Sequence, residues 1–335
     1  MGEKDYAVVV GISRYPALSD LSGPVNDALS FKDWLLNRGS VPLKNIELLV
    51  TPANAETMTR KNAQPLRDQV INAFDAIREH ENERGRVGRR LYLYLAGHGY
   101  APQVNDAALL MANASHRSFS AVPGAVFADW FHASAKFEEI VLIMDCCRDD
   151  CSAIPPQPPP WAPENSPDAD QVRYFHAFAT QTYHKAREQA LTSDGMVRGI
   201  FTNALLTAFE MARDAHGRIT GTAVKDYVMN YPMSIDGLGY QEPEIRIDSA
   251  KDIVLWEADT IRKQAVEFDF GSSCHGSARI LDGRLENVWS GAIPANGVLS
   301  LELEPGKYRI DADGLSCGKR FDVMGNPEEV IHVNL

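Results

Sequence analysis

The chain has 335 residues, of which 44% are hydrophobic and 23% are charged, and this composition excludes a disordered protein. Its length suits one large domain and one small domain. The 33 basic and 45 acidic side chains give a formal net charge of −12, which argues against nucleic acid as a partner because phosphate binding needs a positive patch.

The first residues, MGEKDYAVVVGI, are charged from the start, and their apolar run is too short for a signal peptide or a membrane span. The five cysteines lie at positions 146, 147, 151, 274 and 317, an odd and scattered set without Cys-x-x-Cys spacing. We therefore expect a cytoplasmic protein with reduced thiols and no contact with a membrane.

The first two-thirds of the chain alternate short apolar runs with stretches that have helical apolar spacing. This alternation predicts an α/β fold, a mostly parallel sheet with helices on both sides. The predicted strands cover 6–12, 46–50, 90–97, 139–145, 174–180 and 252–256, the last of which would close the sheet, and the predicted helices cover 26–38, 63–84, 125–134 and 199–213.

Two regions break this alternation. Residues 152–172 contain seven prolines, a composition that favours an extended polyproline conformation, and we expect a mobile, solvated spacer. After residue 264, short alternating strands with Gly, Pro and Asn turns predict a small all-β sandwich. The predicted domains are therefore 1–258 and 265–335, with the boundary near 258–265.

Two predicted strands end in reactive groups, at the edge of the sheet where α/β proteins hold their sites. The third ends in LAGHGY, with His98 between two glycines, and the fourth ends in MDCCRDD, with two adjacent thiols. Neighbouring parallel strands would bring His98 close to one thiol, and an imidazole can take a thiol proton for acyl transfer. Taken alone, His98 is typical of a turn histidine and Cys147 of a small buried residue, but their shared setting favours catalysis.

The motif YLAGHGY, followed by DCCRD with Cys147 49 positions after His98, resembles the caspase and metacaspase superfamily of cysteine peptidases. Further segments match in the family's order, so the resemblance covers roughly residues 4–257. It implies a caspase-like α/β fold and a cysteine endopeptidase. These segments are YAVVVGISRY, LSGPVNDALSF, AFATQTYHKARE, GIFTNALLTAF and QEPEI.

The family's nucleophile is the third residue of the strand-end motif, which is Cys147 here. Adjacent side chains of a strand face opposite ways, so only one of Cys146 and Cys147 can face His98, and we favour Cys147. Cys151, in the loop, is a weaker candidate. The resemblance implies that His98 is general base and acid, and that the backbone N–H groups of Gly99 and Cys147 hold the oxyanion.

Metacaspases cut after Arg or Lys, using an acid in the VNDA segment and the acid two places before the cysteine. By resemblance these are Asp27 and Asp145, and they predict cleavage after Arg, with Lys second because only Arg makes paired bonds to carboxylates. Asp27 has an alternative role as a helix cap, and Asp145 as a residue that orients the loop.

The chain reads RDD after the cysteines where metacaspases usually read HSG, and this resembles the bacterial caspase-like branch. Calcium activation is left open: Asp149 and Asp150 are candidate ligands, but an acidic pair in a loop is more often solvated. We expect no other cofactor. A zymogen specific for basic residues would have no site inside 152–172, only at Arg148 or Arg173, or beyond, at Lys185 or Arg187.

The expected partners are a protein substrate with a basic residue before the scissile bond and a regulatory protein that docks on the β-sandwich. The alternative for the sandwich is a packing appendage that covers a sheet edge. The bacterial relatives imply a stress or defence pathway, by analogy alone. The alternative function is a catalytically silent caspase-like scaffold that binds partners through the sandwich, which the intact Cys–His pair disfavours.

Overall fold

In the computed structural model, most residues of the chain are described. They are residues 2–53, 55–103, 106–150, 155, 157–190, 196–214, 217–231, 234–235, 239–248, 251–256, 263–271, 274–283, 285–304, 306–315, 318–323 and 330–335.

The described chain forms two compact units. One comprises residues 1–206 with 225–253, and the other comprises 207–224 with 254–335. Residues 257–262, which contain most of the predicted boundary at 258–265, lie outside the described residues, so the predicted domain limits stay a prediction.

Strands and helices alternate through the first two-thirds of the chain. The helices are α1 (Pro24–Asn37), α2 (Arg67–Arg78), α3 (Gly124–Ser134), α4 (Ile200–Met211) and α5 (Gly221–Asn230), and no helix in the described ranges is long and apolar enough to cross a membrane. The strands up to residue 256 are β1 (Asp5–Gly11), β2 (Ile46–Val50), β3 (Gly88–Gly97), β4 (Gly99–Ala101), β5 (Ala108–Leu110), β6 (Ala121–Pro123), β7 (Phe137–Cys146), β8 (Asp149–Asp150), β9 (Arg173–Phe178), β10 (Glu188–Ala190), β11 (Val197–Gly199), β12 (Ile219–Thr220), β13 (Ser234–Ile235), β14 (Gly239–Tyr240), β15 (Glu244–Ile247) and β16 (Val254–Trp256).

The largest sheet has six strands in the order β15-β9-β7-β3-β1-β2. Its strands pair in parallel except at the edge, where β15 runs antiparallel to β9. This arrangement confirms the predicted α/β fold class with a mostly parallel sheet. The carboxyl ends of β1, β3 and β7 therefore meet at one edge.

Side-chain alternation along β3 places helices on both faces of this sheet. The Tyr94 ring stacks on Phe31 of α1, with ring centroids 4.7 Å apart. On the other face, Leu93 belongs to a buried core that includes Phe74 of α2 and Phe127 of α3. The predicted two-sided layering is confirmed.

Helix α2 is shorter than the predicted 63–84. The Gln69 side chain accepts the Leu66 N–H at 2.8 Å and so fixes the start at Arg67. Beyond Ile77 the next positions of the buried face are polar, so no apolar burial sustains a further turn, and the helix ends at Arg78.

Charged side chains of alternating sign cross the amino ends of four adjacent strands. Asp5 of β1 is the register partner of Arg90 of β3, which is the partner of Glu139 of β7, itself the partner of Arg173 of β9. Arg90 is fully buried, and its Nε donates to Glu139 Oε2 at 2.6 Å. Burying these charges is tolerated because each acid has a basic neighbour.

The observed sheets differ from the prediction in two respects. Residues 252–256 do not close the large sheet, because β16 pairs with β12 in a separate two-stranded sheet, and β15 is the edge strand instead. A second sheet, β6-β5-β4-β8, has no counterpart in the prediction and follows directly from the end of β3. Apolar content alone does not say which sheet a short strand joins.

The described part of the proline-rich segment is mostly exposed, as expected of a solvated spacer, but it is attached to the helices at Trp161, and its mobility stays a prediction. The Trp161 ring lies edge-on against Phe74 and Phe127, with centroids 5.8 Å and 5.7 Å away. Its Nε1 also donates to Asp75 Oδ1 at 2.8 Å. One aromatic side chain thus provides the apolar burial that the prolines lack.

Two side chains also hold the backbone of this segment. Arg67 Nη2 donates to the Pro158 carbonyl oxygen at 2.7 Å, and Trp130 Nε1 donates to that of Ala162 at 3.1 Å. The described part of the segment is therefore attached to α2 and α3 at several points.

The last 70 or so residues contain two antiparallel-rich sheets, as predicted. A three-stranded sheet has the order β20-β17-β23, and a four-stranded sheet has the order β19-β18-β21-β22. Val266 and Phe268 of the first sheet share a buried core with Ile280 and Ile310 of the second, which makes the pair a sandwich. Cys274 is a free thiol, and Cys317 lies outside the described residues. The strands are β17 (Gln264–Asp269), β18 (Ser277–Asp282), β19 (Asn287–Ala292), β20 (Val298–Leu303), β21 (Gly306–Ala312), β22 (Lys319–Val323) and β23 (Ile331–Asn334).

Candidate active site

The imidazole and the thiol predicted from the sequence occupy adjacent positions of the fold. Gly97 and Cys146 are register partners at the ends of β3 and β7, and the chains stay paired just beyond, through β4 and β8. His98 and Cys147 each directly follow one of these partners. The two residues are therefore neighbours at the carboxyl edge of the sheet.

The imidazole is anchored through one of its two nitrogens. His98 Nε2 lies 2.8 Å from the Ser19 carbonyl oxygen and 3.3 Å from the Ser19 hydroxyl. A carbonyl oxygen only accepts, so Nε2 carries a proton, and the neutral ring keeps its lone pair on Nδ1. The nitrogen left to act as a base is Nδ1.

Tyr15 supports His98 from below. It is 1% exposed, its hydroxyl accepts the backbone N–H of His98 at 3.0 Å, and the same hydroxyl donates to the Leu110 carbonyl oxygen at 3.1 Å. The two rings lie 4.8 Å apart. A Cβ at Gly97 would overlap the Tyr15 hydroxyl, which explains the glycine before the histidine.

The two adjacent thiols differ in access. Cys146 is 1% exposed and its burial raises its pKa well above the ordinary value, whereas Cys147 is half-buried. Burial also raises the pKa of Cys147, whose thiol donates to the Ala186 carbonyl oxygen at 3.8 Å. Cys147 is thus the more accessible thiol, and it rests protonated at neutral pH. Cys151 lies outside the described residues.

Gly99 brings its backbone against both cysteines. A Cβ there would lie 2.5 Å from Cys146 Sγ and 2.7 Å from the Cys147 carbonyl oxygen, so a side chain does not fit. The Leu110 N–H donates to the His98 carbonyl oxygen at 2.8 Å, and in this pattern the N–H of Gly99 is turned away from β5.

The two acids predicted to form a pocket, Asp27 and Asp145, meet at Gly199. Asp27 Oδ2 accepts the Gly199 N–H at 2.8 Å. A Cβ at Gly199 would overlap Asp145 Oδ2 and lie 3.0 Å from Asp27 Oδ2. Both carboxyl groups therefore lie against this glycine, and Asp27, Asp145 and Gly199 together form the candidate recess.

The alternative role of Asp27 as a helix cap does not hold. Helix α1 begins at Pro24 with Gly23 before it, and its first turn has no side-chain cap of its own. The Asp27 backbone N–H already donates to the Gly23 carbonyl oxygen at 2.9 Å, within the helix. Its side chain is thus committed to Gly199.

Both pocket acids are almost fully buried, Asp27 at 2% and Asp145 at 7% exposure. Burial raises the pKa of each carboxyl group, and the charge of Asp145 raises that of Asp27 further. Oδ1 of Asp27 is buried without a hydrogen-bond partner in the described part of the chain. A buried carboxylate oxygen without a donor is suited to a cationic ligand.

Asp145 is held by Thr202 of α4. The Thr202 hydroxyl and backbone N–H donate to Asp145 Oδ2 at 2.6 Å and 3.2 Å. Because that hydroxyl proton is used, the Tyr94 hydroxyl donates to Thr202 Oγ1 at 2.6 Å. These hydrogen bonds therefore hold the Asp145 carboxyl group in place beside Gly199.

Sequence reasoning misses Ser19, Thr202 and Glu188. Glu188 of β10 is a third carboxylate near the recess, and its charge raises the pKa of both Asp27 and Asp145. Thr202 lies in GIFTNALLTAF, a segment that already matched the family, and this was an available signal. Glu188 likewise ends the matched segment AFATQTYHKARE, whereas Ser19 lies outside the matched segments and acts through a long-range contact.

Arg148, one of the expected processing positions, is inaccessible. It is fully buried, and its guanidinium donates to the backbone carbonyl oxygens of Asp106 and Thr180 at 3.1 Å and 3.0 Å and to the Glu244 carboxylate at 2.5 Å. In the folded chain, a peptidase that recognises basic side chains therefore cannot bind Arg148 and cleave after it.

Calcium binding by Asp149 and Asp150 stays a prediction. Within the described residues, no group of three or more His, Cys, Asp or Glu side chains is placed to hold a metal ion. Asp149 belongs to the short strand β8, and the side chain of Asp150 lies outside the description.

The chain matches no protein-family model and no curated protein. Sixty-one solved chains match its structure. Among them is a structure of pro-Sf-caspase-1, with 14% sequence identity, 77% of this chain and 92% of that chain covered, and a TM-score of 0.39. A likeness of this extent carries no conclusion about activity.

Proposed function

We propose that the protein is a cysteine endopeptidase that cleaves after Arg, with Lys second. Cys147 is the nucleophile, His98 is the general base and acid, and Asp27 with Asp145 binds the basic side chain. The observation that carries the proposal is the pairing of the strand ends, since it supports an accessible thiol beside an imidazole whose Nε2 is already occupied. The sequence resemblance points to the same chemistry.

The reaction begins with transfer of the Cys147 proton to Nδ1 of His98. This transfer is needed because the thiol rests on the Ala186 carbonyl oxygen with a raised pKa. The thiolate attacks the scissile carbonyl carbon, and the backbone N–H groups of Gly99 and Cys147 donate to the oxyanion. His98 returns the proton to the leaving amine, which leaves a thioester.

Deacylation uses the same groups. His98 Nδ1 takes a proton from water, the hydroxide attacks the thioester carbon, and the collapse of the second tetrahedral intermediate releases the acid and the Cys147 thiolate. The thiolate recovers its proton from the imidazolium. In this mechanism, Cys147 and His98 are the only side chains that take up or release a proton.

The recess accounts for specificity by charge and geometry. Asp27 and Asp145 approach Gly199 together, and Oδ1 of Asp27 lacks a donor. A guanidinium offers five N–H groups in a planar fork and can serve two carboxylates at once, whereas an ammonium is a point charge. Arg is therefore preferred to Lys, and an acidic side chain is repelled.

The test uses purified wild type, Cys147→Ala and the matched control Cys274→Ala, a half-buried thiol of the sandwich. Fluorogenic peptides carry Arg, Lys or Asp before the reporter, and each is assayed with and without calcium. We expect cleavage after Arg that is lost in Cys147→Ala and kept in Cys274→Ala. Cleavage after Asp would overturn the pocket assignment, and activity in Cys147→Ala would overturn the nucleophile.

A further inference from the structure

One short segment, residues 186–188, contacts Cys147 at one end and, at the other end, the loop that anchors His98. The Ala186 carbonyl oxygen accepts the Cys147 thiol at 3.8 Å. Two residues later, the Glu188 side chain reaches the segment that leads into α1 and carries Ser19.

Glu188 binds the start of α1. Its Oε1 accepts the Ser22 N–H at 3.0 Å, and its Oε2 accepts the Gly23 N–H at 2.8 Å. These N–H groups directly precede a helix that has no side-chain cap from its own sequence, so a distant carboxylate places an acceptor and a negative charge at the helix start.

The loop between Ser19 and Gly23 is also bound to the chain before it. The Leu21 N–H donates to the Ser13 carbonyl oxygen at 2.8 Å, and Asp20 Oδ1 accepts the Tyr15 N–H at 3.1 Å. Glu188 is thus one of the contacts that fix this short loop, and the Ser19 carbonyl oxygen of the same loop holds Nε2 of His98.

The same residue borders the acidic recess. Glu188 is the register partner of Gly199, whose N–H is bound to Asp27, and a Cβ at Gly23 would lie 3.1 Å from Glu188 Oε2 and 3.2 Å from Asp27 Oδ2. Glu188 thus connects the wall of the recess with the loop that anchors the imidazole.

We propose that Glu188 is a positioning residue of the peptidase: by clamping the Ser19–Gly23 loop, it keeps the imidazole of His98 anchored through Nε2 and so leaves Nδ1 ready for the thiol proton of Cys147. This role rests on the proposed function, because it assumes that His98 and Cys147 act together. Glu188 does not touch the substrate's reacting atoms in this role.

The test measures the reactivity of Cys147 directly. Wild type, Glu188→Gln, Glu188→Ala and His98→Ala are alkylated with iodoacetamide between pH 5 and pH 10, and the Cys147 peptide is quantified by mass spectrometry. The rate follows the thiolate fraction, so the profile reports the imidazole even without peptide cleavage. Glu83→Gln, which removes an exposed charge, is the matched control, and kcat and KM are measured on the Arg peptide in parallel.

We expect Glu188→Ala to approach the His98→Ala profile and Glu188→Gln to lie between it and wild type, since glutamine keeps one acceptor. The expected loss in kcat is about tenfold or more, as for a misplaced catalytic group, with KM changed less. Glu83→Gln should match wild type. Glu188→Gln carries the test if Glu188→Ala does not fold.

The outcomes distinguish the role of Glu188 from the proposed Cys–His pair. If His98→Ala shifts the Cys147 profile but both Glu188 variants superimpose on wild type, the positioning role is overturned while the Cys–His pair stands. A rise in KM with an unchanged profile also overturns it. If His98→Ala leaves the profile unchanged, the proposed catalytic pair fails and this role fails with it.

Discussion

Thr202 donates two hydrogen bonds to one oxygen of Asp145, from its hydroxyl at 2.6 Å and from its backbone N–H at 3.2 Å. Replacing Thr202 by Val keeps the shape but removes the hydroxyl, and leaves both Asp145 and the Tyr94 hydroxyl short of a partner. A buried hydrogen bond to a charged group contributes about 1.5–3 kcal/mol. We expect Thr202→Val to lower the free energy of unfolding by about that amount, in chemical denaturation, and to raise KM for the Arg peptide.

The control is Thr202→Ser, which retains the hydroxyl. It should recover most of the stability and the KM. A Val variant as stable as wild type would contradict a role for the hydroxyl bond to Asp145, and a loss in the Ser variant would report the methyl group instead.

Asp27→Asn removes one of the two carboxyl groups that can carry negative charge beside a bound guanidinium. A buried charged pair that loses one partner costs about 2–5 kcal/mol, so kcat/KM for the Arg peptide should fall by about 30-fold or more. The matched control is Asp33→Asn in the same helix, whose carboxylate is largely exposed. An Asp27→Asn enzyme that cleaves after Arg as wild type does would contradict the assignment.

The same substitution should stabilise the protein at high pH. Burial raises the folded pKa of Asp27 above its unfolded value, so the native state loses stability as the pH rises from the unfolded pKa through the folded one. Each unit of that difference is worth about 1.4 kcal/mol. The unfolding free energy of Asp27→Asn should exceed that of wild type above this window, and the gap should shrink as the pH falls. A gap that is independent of pH would contradict the burial argument.

Trp161→Ala should release the proline-rich segment. Its ring packs on Phe74 and Phe127 and its Nε1 bonds to Asp75, and loss of a large aromatic side chain costs about 3–5 kcal/mol when fully buried, so less for this partly exposed ring. We expect a lower Tm and faster nicking within 155–172 by proteinase K. Trp161→Phe keeps the ring without the Nε1 donor and should be intermediate. Unchanged nicking in the Ala variant would show that Trp161 does not hold the segment.

The sequence predicts where the strands and helices lie along the chain better than which strands pair with each other. Alternation of apolar runs is a local property, so β1, β2, β3 and β7 fall where the pattern indicates. Which sheet receives 252–256 depends on contacts far along the chain, and that prediction is wrong. The proline count in 152–172 predicts a solvated chain, and most of the described segment is exposed, but the count does not reveal that Trp161 attaches the segment to α2 and α3.

The candidate site follows the same rule. His98, Cys147, Asp27 and Asp145 lie in recognisable local motifs, and their catalytic and binding roles stay predictions that the experiments above test. Ser19 lies in no such motif, and the matched segment AFATQTYHKARE, which ends at Glu188, does not say what Glu188 binds, since the partners of the two residues are 79 and 166 positions away. A single sequence carries no local trace of bonds at that separation.

The row of charges at the amino ends of the strands has a consequence for how the sheet assembles. Its signs run negative, positive, negative, positive from β1 through β3 and β7 to β9. Exchanging β3 with β7 would set Glu139 beside Asp5 and Arg90 beside Arg173, two like-charge contacts away from water. The row therefore favours the observed strand order over this exchange. It does so at the edge opposite the candidate site, where no reactive group has to be left free.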